Sequence, residues 1–302
     1  MRDVSNKTNT LRVAKATCSV TCQPDTINAI RSGSVPKADP IGVARTAAIQ
    51  AAKNTSLIIP YCHQVPLDFI SVEVELKDSS VHFVTEVKAV WKTGVEMEAL
   101  TSAMVAALTL YDMLKIVDGT MEIGSTRLIE KKGGKSDNHI PDPSNIKAAI
   151  LVLSDRTSRG ERADVSGKTI QQRLEGIGLS VVEFSILPDE QLLIKKHLIR
   201  LCDELSLDLV VTTGGTGVGP RDVTPEATRA ILERELPGVE EYIRSHGQER
   251  TRFAMLGRGV AGMRGRTLII NLPGSPGGVN DALDILFPWL LHTFEIVGGN
   301  GH

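Results

Sequence analysis

The chain has 302 residues, of which 41% are hydrophobic and 23% are charged, and its formal net charge is −2. This length predicts two domains, and the near-neutral charge argues against a nucleic-acid or anionic-membrane partner. The four cysteines have no repeated CxxC spacing, which predicts reduced thiols and not a zinc site or a disulfide framework. Nothing near the first residues resembles a secretory leader, and no run reaches the roughly 18 apolar residues of a membrane span. We therefore expect a cytoplasmic protein.

The first half is predicted to be an α+β domain. Residues 46–53 are strong helix formers and predict a helix, and residues 94–117 predict a second, longer and mostly apolar helix. Apolar and polar residues alternate over residues 71–76 and 81–90, which predicts antiparallel strands. This order favours an antiparallel, ferredoxin-like sheet with the helices on one face.

Residues 131–147 interrupt both patterns. This stretch, KKGGKSDNHIPDPSNIK, contains two glycines, two prolines and many charges, with Ile140 and Ile146 as its only apolar side chains. Such a composition is typical of a linker. We therefore predict a first domain over residues 1–136, a linker over 137–146 and a second domain over 147–302. No internal repeat relates the two halves.

Predicted strands and helices alternate in the second half, which favours a doubly wound, mostly parallel α/β sheet. The expected strands are 147–154, 180–186, 207–211 and 267–272, and the expected helices are 167–176 and 190–205. Ligands of such sheets bind beyond the carboxyl ends of the strands. Loops at these ends begin at Asp155, Asp189, Gly214 and Pro273, so we expect them to form one site.

The glycine-rich loop at residues 212–227, TTGGTGVGPRDVTPEA, is the most informative stretch of the chain. Its glycines let a ligand approach backbone N–H groups, and Thr224 and Pro225 predict an N-cap and a first helical turn. A strand, a glycine turn and a helix start together favour phosphate binding, although the stretch matches neither GxGxxG nor the Walker loop. Asp222 stands where a bound phosphate would need a Mg²⁺ ligand. The alternative is a glycine-rich loop that binds nothing.

Several residues of the first half suit acid–base chemistry on a phosphorylated substrate. They are Lys37, His63, Glu96, Glu98, Asp112 and Lys115, and Cys62 stands directly before His63. Each also has a simpler interpretation on its own. His63 could be an ordinary loop residue, Asp112 and Lys115 a surface pair, and the two glutamates partners of a helix dipole.

The motif TTGGTG…RDVTPEAT resembles the signature of the molybdopterin-binding family, which includes the MogA/MoaB-type adenylyltransferases of molybdenum-cofactor biosynthesis. The resemblance covers about the last 155 residues. It implies ATP and Mg²⁺, with Asp189 and Asp222 as catalytic and metal-binding residues. Substrate-binding residues would be Ser154, Asp155, Gly214, Gly215, Thr216, Gly217, Pro273, Gly274 and Ser275. Taken alone, Asp189 could be an N-cap and PGSPG at 273–277 a rigid turn.

A second set of motifs lies in residues 1 to about 136: DVSxKxxTxRxAxA, AAIQAAK, IPxCH, KTGVEMEALT, AALTxYDMxK and RLxxKxGGKS. Together they resemble cyclic pyranopterin monophosphate synthase, the MoaC family. That family converts a cyclic dihydroguanosine triphosphate into cyclic pyranopterin monophosphate and diphosphate. The resemblance implies catalytic roles for Lys37, His63, Glu96, Asp112 and Lys115, with Asp112 and Lys115 as the acid–base centre. Binding residues would be Arg12, Cys62, Glu98 and Lys131, with no tightly bound cofactor.

Two positions depart from the pattern of this family. Lys37-Ala38-Asp39 stands where Lys-Gly-Asp is usual, and Cys62-His63-Gln64 where Cys-His-Pro is frequent. Both departures change neighbours of the reactive side chains and leave those side chains unchanged. The family pocket lies between subunits, which implies a homo-oligomer, at least a dimer and commonly a hexamer that can be trimer-based.

The sequence therefore predicts a bifunctional enzyme of molybdenum-cofactor biosynthesis that uses small pterin and nucleotide substrates. The two reactions are not consecutive, because sulfur insertion intervenes, so we do not expect direct transfer of an intermediate. One alternative is that the second half binds pterin or nucleotide as a non-catalytic scaffold. Another is a nucleotide pyrophosphatase that releases AMP with no pterin acceptor.

Overall fold

A computed structural model describes residues 1–37, 39–134 and 141–299, and the chain divides into two compact units, Met1–His139 and Ile140–His302. Ala38 and residues 137–140 of the expected linker lie outside the described residues. The described remainder of that linker contains a 3₁₀ turn at Pro143–Asn145, in which Asp142 accepts a hydrogen bond from the backbone N–H of Ser144.

The first unit is an antiparallel sheet with helices. Its sheet has the order β2-β3-β1-β4, with β5 also paired to β1. Its elements, in chain order, are β1 (Thr10–Thr21), α1 (Pro24–Ser32), α2 (Pro40–Lys53), α3 (Thr55–Ile58), β2 (Phe69–Leu76), β3 (Ser80–Trp91), α4 (Glu96–Leu114), β4 (Glu122–Ile123) and β5 (Arg127–Lys132).

The predicted antiparallel sheet of the first unit is confirmed, but its elements differ from the prediction: α1, α3, β4 and β5 were not predicted. Helix α2 begins at Pro40, six residues before the predicted start, because Asp39 caps the backbone N–H of Gly42 at 2.9 Å. The central strand β1 was not predicted either. Its buried side chains include Ala14 and Ala16, and alanine is a weak signal for a strand.

Helix α4 packs its small side chains against the sheet. Ala99, Ala103, Ala106 and Leu110 are fully buried in the core that also contains Ala14 of β1. Alanines on both surfaces let the helix and the strand approach closely. By length and composition alone α4 could cross a membrane, but this buried face is that of a core helix in a folded domain.

The second unit has a six-stranded mixed sheet of the order β7-β6-β8-β11-β10-β9. Its strands are β6 (Lys147–Leu153), β7 (Ser180–Leu187), β8 (Leu209–Thr213), β9 (Arg234–Glu235), β10 (Ala261–Arg264) and β11 (Thr267–Leu272). Its helices are α5 (Asp155–Ser158), α6 (Ser166–Gly176), α7 (Gln191–Ile199), α8 (Thr224–Arg229), α9 (Pro237–Gln248), α10 (Pro276–Leu286) and α11 (His292–Val297).

Four strands of this sheet are parallel, and two are not. β6 pairs in parallel with β7 and β8, and β8 with β11, whereas β10 and β9 add an antiparallel edge that was not predicted. The single helix expected over residues 190–205 is α7 followed by a π-helical turn at Arg200–Glu204. Neighbouring residues of β6 serve different cores: Ile150 packs with α6 and α10, and Leu151 with α7.

The carboxyl ends of the parallel strands meet at one edge. Leu153 of β6 pairs with Leu187 of β7, and Thr213 of β8 pairs with Val152 of β6 and with Leu272 of β11. The loops that follow these strands therefore begin side by side. This register places the segments at 154, 188, 214 and 273 around a common edge.

The buried carboxylate of Asp118, which follows α4, binds the start of α1 in the first unit. Asp118 accepts hydrogen bonds from Gln23 N at 2.8 Å and Thr26 Oγ1 at 2.9 Å at the start of α1. It also accepts from Thr120 N at 2.8 Å. Burial alone would raise the pKa of Asp118, but these hydrogen bonds outweigh it and lower the pKa to about 2.

We expect Asp118→Asn to destabilise the first unit in a pH-dependent way. The unfolded pKa is about 3.9, so the ionised carboxylate stabilises the fold above about pH 4 and loses this effect as the pH falls toward 2. Chemical denaturation at several pH values should show a difference between wild type and variant that shrinks below pH 4. A difference independent of pH would contradict the role of the charge, and Asp78→Asn, on the surface, is the control.

We expect limited trypsin digestion to cut first after Lys135, the only lysine or arginine between Lys132 and Lys147. Each resulting fragment should retain a cooperative unfolding transition because each unit has its own hydrophobic core. Lys135→Gln should abolish the early cut. Early cleavage inside either unit, or one inseparable transition, would contradict two autonomous domains.

Candidate active sites

The glycine loop after β8 has a conformation that excludes side chains. Gly214 and Gly215 have φ values of +97° and +59°, in the left-handed region that glycine adopts without strain. A Cβ on Gly214 would lie 2.1 Å from the carbonyl oxygen of Leu153. A Cβ on Gly215 would lie 2.8 Å from Asp189 Oδ1. The loop therefore brings its bare backbone against the ends of two neighbouring strands.

Thr224 connects the glycine loop to the helix that follows. The sequence predicted it as the N-cap, but α8 begins at Thr224 and Val223 occupies the capping position. The Thr224 hydroxyl donates to Gly214 O at 2.9 Å, and its backbone N–H donates to Gly215 O at 3.1 Å. Thr224 thus closes the loop and does not cap the helix.

Asp222 folds back over the same loop. Its Oδ2 accepts a hydrogen bond from Gly219 N at 2.7 Å. A Cβ on Gly217 would lie 2.9 Å from this oxygen. The carboxylate is therefore held beside the half-buried backbone of the glycine loop.

Asp189, after β7, faces the loop from the other side. Its Oδ2 accepts from Asp155 N at 2.9 Å, while its own N–H donates to Asp155 Oδ1 at 3.1 Å. Its Oδ1 is buried and has no hydrogen-bond partner among the described residues. Burial raises the pKa of Asp189, and the negative charges of Asp155 and Asp222 raise it further. A buried carboxylate oxygen next to like charges requires a cation or a proton.

Arg221 supplies a positive charge that the sequence reasoning did not single out. Its guanidinium binds Asp155 through two hydrogen bonds of 3.0 and 2.9 Å and also donates to Glu190 Oε1 at 2.8 Å. This pairing lowers the pKa of Asp155. Arg221 directly precedes Asp222, so a basic residue beside a predicted phosphate loop was a signal that could have found it.

Arg258 was also missed, and no local signal marks it. It lies 36 residues after Asp222 in the sequence, in the segment before β10. Its Nε donates to Gly217 O at 2.6 Å and its Nη2 to Asp222 O at 2.7 Å. Its Nη1 binds Glu226. Only the fold brings this side chain to the loop.

The PGSPG segment and the start of α10 complete this edge. Thr213 Oγ1 donates to Pro273 O at 2.7 Å, and Ser275 Oγ caps α10 by accepting from Gly278 N at 3.2 Å. A Cβ on Gly274 would lie 3.3 Å from Gly214 Cα, so the two loops touch. Ser154, at the end of β6, caps the short helix α5 through Thr157 N at 3.2 Å.

A cavity of about 510 Å³ opens beside these loops. It is large enough for one drug-sized ligand. Its walls include Thr216 and Gly217 of the glycine loop, Gly274 and Ser275, and residues of α9 and of the following 3₁₀ turn Arg252–Leu256, among them Arg244 and Phe253. In the part of the chain that the structure describes, no three His, Cys, Asp or Glu side chains form a metal cluster on their own.

The first unit holds its predicted residues in two groups. At the end of α4, Asp112 binds Lys115 through Oδ1 at 2.7 Å and Lys37 through Oδ2 at 3.4 Å. These side chains are exposed. The lysines lower the pKa of Asp112, with Lys115 as the larger contributor.

The second group lies at the start of α4. Glu96 binds Lys131 of β5 at 2.6 Å, and Cys62 Sγ donates to Glu98 Oε1 at 3.4 Å. Glu98 is 3% exposed and its Oε2 has no partner among the described residues. Burial raises the pKa of Glu98 and, together with the glutamate charges, raises the pKa of Cys62 to about 11. This environment favours the protonated thiol of Cys62, which donates to Glu98.

Two further predicted residues have local backbone partners. His63 Nε2 lies 2.8 Å from Arg2 O, and Arg12 Nε donates to Trp91 O at 3.2 Å. A Cβ on Gly134 would lie 2.3 Å from an Arg12 guanidinium nitrogen. Arg12 thus lies beside the end of β5, near Lys131.

The two groups lie far apart within one chain. Glu96 and Asp112 are on the same helix, and their separation of sixteen residues corresponds to about 24 Å along the axis. A single substrate of this class cannot touch both groups in one copy of the unit. The structure therefore does not join all of the predicted residues into one site within the chain.

Comparison with known proteins follows the division into two units. A model of the "MoaC family" matches residues 1–134, and a model of the "Probable molybdopterin binding domain" matches residues 149–292. Cyclic pyranopterin monophosphate synthase of Syntrophomonas wolfei is 48% identical over 146 residues, covering 47% of this chain and 92% of that protein. Molybdopterin adenylyltransferase of Helicobacter pylori is 44% identical over 157 residues, covering 51% of this chain and 89% of that protein.

Similarity also extends across both units at once. The molybdenum cofactor biosynthesis bifunctional protein of Chlorobaculum tepidum is 42% identical over 302 residues, covering all of this chain and 96% of that protein. Separate relatives of each half and a common relative of the whole agree with the resemblance that the motifs indicate. The chain belongs to the family of molybdenum cofactor biosynthesis bifunctional proteins.

Proposed function

We propose that residues 1–136 form a cyclic pyranopterin monophosphate synthase and residues 147–302 a molybdopterin adenylyltransferase, joined by a linker over 137–146. For the transferase half, the observation that carries the proposal is that Asp189 and Asp222 both lie against the glycine loop and that Asp189 Oδ1 is buried without a partner among the described residues. A non-catalytic scaffold that only binds pterin or nucleotide has no need for such a costly group. The full-length similarity to a bifunctional relative supports both halves.

In the synthase half, Asp112 with Lys115 and Lys37 would form the acid–base centre. The carboxylate is held ionised between two ammonium groups. The ammonium groups can donate protons and neutralise a departing diphosphate. Glu96, Glu98, Cys62, His63, Lys131 and Arg12 would bind the substrate or assist the reaction from the other end of α4. No tightly bound cofactor is needed for this chemistry.

The separation of about 24 Å along α4 supports a synthase pocket made by two copies of the chain. One copy would supply the group at the end of α4, and its partner the group at the start. Exposed Met104 and Leu108 on the same helix, 54% and 58% exposed, offer an apolar surface for such an interface. We propose a homo-oligomer, a hexamer or another assembly built on this contact.

In the transferase half, the loops at the strand ends would bind ATP. Gly214, Gly215, Thr216 and Gly217 would present backbone N–H groups to the phosphates, and Ser154, Asp155, Pro273, Gly274 and Ser275 would line the rest of the site. The cavity of about 510 Å³ is where a second substrate, the pterin, would lie. Its terminal phosphate would displace diphosphate from ATP to give the adenylated pterin.

Mg²⁺ fits the donor set of this site. Asp189 and Asp222 offer carboxylate oxygens, one of them buried without a partner, and Mg²⁺ prefers one or two carboxylates together with substrate phosphates and water. When bound, the ion would neutralise charge on the transferring phosphoryl group. The chain's own contribution is to hold both carboxylates in place beside the loop.

We also propose a specific fold class for each unit, from strand order in the first and from the two hydrophobic cores in the second. The arrangement β2-β3-β1-β5 supports a ferredoxin-like first unit. Two hydrophobic cores that receive alternate residues of β6 support a doubly wound second unit. We also propose a cytoplasmic location, because molybdenum-cofactor intermediates and reduced thiols suit that compartment.

Asp112→Asn is expected to lower cyclic pyranopterin formation by about 100-fold or more, because the amide cannot exchange a proton. Lys37→Ala should cause a comparable loss by removing charge stabilisation. The rate of product formation should be measured on the full chain. Asp25→Asn, an exposed position in the same unit, is the matched control. Near-normal turnover by Asp112→Asn would refute the acid–base assignment.

Asp222→Asn is expected to abolish adenylated pterin while changing stability by no more than about 1 kcal/mol. The reason is that the asparagine carbonyl can still accept from Gly219 N, whereas the negative charge is lost. Chromatography of the product and the melting temperature should be measured on one sample. Synthase activity of that sample is the internal control. Retained adenylylation would exclude a catalytic role, and a collapse of the melting temperature would make Asp222 structural.

A further inference from the structure

The side chain of Arg258 joins the cavity wall to the loop that carries Asp222. Its neighbours Gly257 and Gly259 both line the cavity. The guanidinium extends from there to Gly217 O at 2.6 Å and Asp222 O at 2.7 Å. The backbone N–H of Arg258 also donates to Thr216 O at 2.9 Å. Main chain and side chain of one residue thus fasten the loop at three carbonyls.

These contacts fix both ends of one turn. Gly217 and Asp222 bracket the segment 218–221, and the hydrogen bond from Gly219 N to Asp222 Oδ2 closes it from within. The third branch of the guanidinium binds Glu226 in the first turn of α8. The Arg258 guanidinium therefore holds the backbone of Asp222 against the glycine loop, while Gly219 N holds the Asp222 carboxylate directly.

We propose that Arg258 is a positioning residue for adenylyl transfer, acting through Asp222 and not through contact with the substrate. The inference rests on the function proposed for the second unit. All three nitrogens of the guanidinium have protein partners, namely Gly217, Asp222 and Glu226, so the group is engaged with the loop and α8. Its role is to hold a catalytic carboxylate within the tolerance that phosphoryl transfer demands.

Lysine cannot replace this arrangement. An ammonium group keeps the charge but is a point donor, whereas the three partners of Arg258 lie around a rigid plane. Arg258→Lys should therefore retain the fold and the local charge while releasing the turn. A displacement of about 1 Å at a reacting group can lower a rate by about 100-fold.

The test is a double-mutant cycle on the full chain with Arg258→Lys and Asp222→Asn. We expect Arg258→Lys to lower kcat for adenylyl transfer at least about tenfold, with KM for molybdopterin changed less than about twofold. In the presence of α,β-methylene ATP, Mn²⁺ affinity should weaken about fivefold or more in an otherwise wild-type chain. The same substitution should have no further effect on Mn²⁺ affinity when Asp222→Asn is already present.

Arg264→Lys is the matched control, because Arg264 makes a similar fork to Asp203 and Ile231 O and contacts no residue of the glycine loop among those described. It should leave kcat and Mn²⁺ affinity unchanged. An undiminished effect of Arg258→Lys in the Asp222→Asn background would overturn the proposal, because Arg258 would then act by another route. So would unchanged kcat, or a melting temperature lowered by more than about 5 °C. Failure of the wild-type chain to form adenylated pterin would instead refute the proposed function.

Discussion

The close contact between Gly214 and the end of β6 is the constraint on which the second unit depends. Any side chain at this position would collide with the carbonyl oxygen of Leu153, since its Cβ would lie at 2.1 Å. The contact lets the loop turn sharply out of the sheet at the exact point where neighbouring strands end. Gly274 approaches the same residue from the next strand, with 3.3 Å between its ideal Cβ position and Gly214 Cα. Three strand ends thus share one surface of bare backbone.

Charge is arranged around that backbone in a consistent way. Asp189 and Asp222 face the loop, while Asp155 is neutralised by Arg221. The ionised form of Asp189 is destabilised, because burial and the negative charges of Asp155 and Asp222 raise its pKa. A buried carboxylate oxygen without a partner beside like charges is stabilised by a proton or by a bound cation. This arrangement is the basis of the metal and phosphate binding that we propose for the second unit.

In the first unit the candidate site residues are arranged along the long helix α4. Alanines on α4 and β1 permit close packing along the helix, and the two ends of α4 then display different functional groups, about 24 Å apart. Within one chain these groups cannot meet on one substrate. The second unit therefore has its candidate site residues together at one edge of its sheet. The first unit has them at the two ends of α4.

The sequence predicted those parts that depend on local pattern. Regular strands and the glycine loop were visible because periodicity and glycine spacing are local properties, and the rule for strand ends brought Asp155, Asp189 and Pro273 to the edge where the structure has them. Strand β1 was missed because two of its four buried residues are alanines, which are a weak signal for a strand. The prediction that Thr224 caps α8 was wrong. A threonine before a helix reads the same in the sequence whether its hydroxyl caps the helix or, as here, donates to Gly214 O. Arg258 could not be predicted from the sequence, because only tertiary packing brings it to Asp222 and Gly217, which lie 36 and 41 positions earlier.

We propose that one chain contains two independent catalytic sites, and both proposed reactions release diphosphate. Diphosphate release should therefore be measured on one preparation of the full chain with the cyclic dihydroguanosine triphosphate alone, with ATP, Mg²⁺ and molybdopterin, and with all of these together. We expect release in each case, and rates that add when both substrate sets are present. Absence of release with either set, or mutual inhibition of the two rates, would contradict two separate active sites.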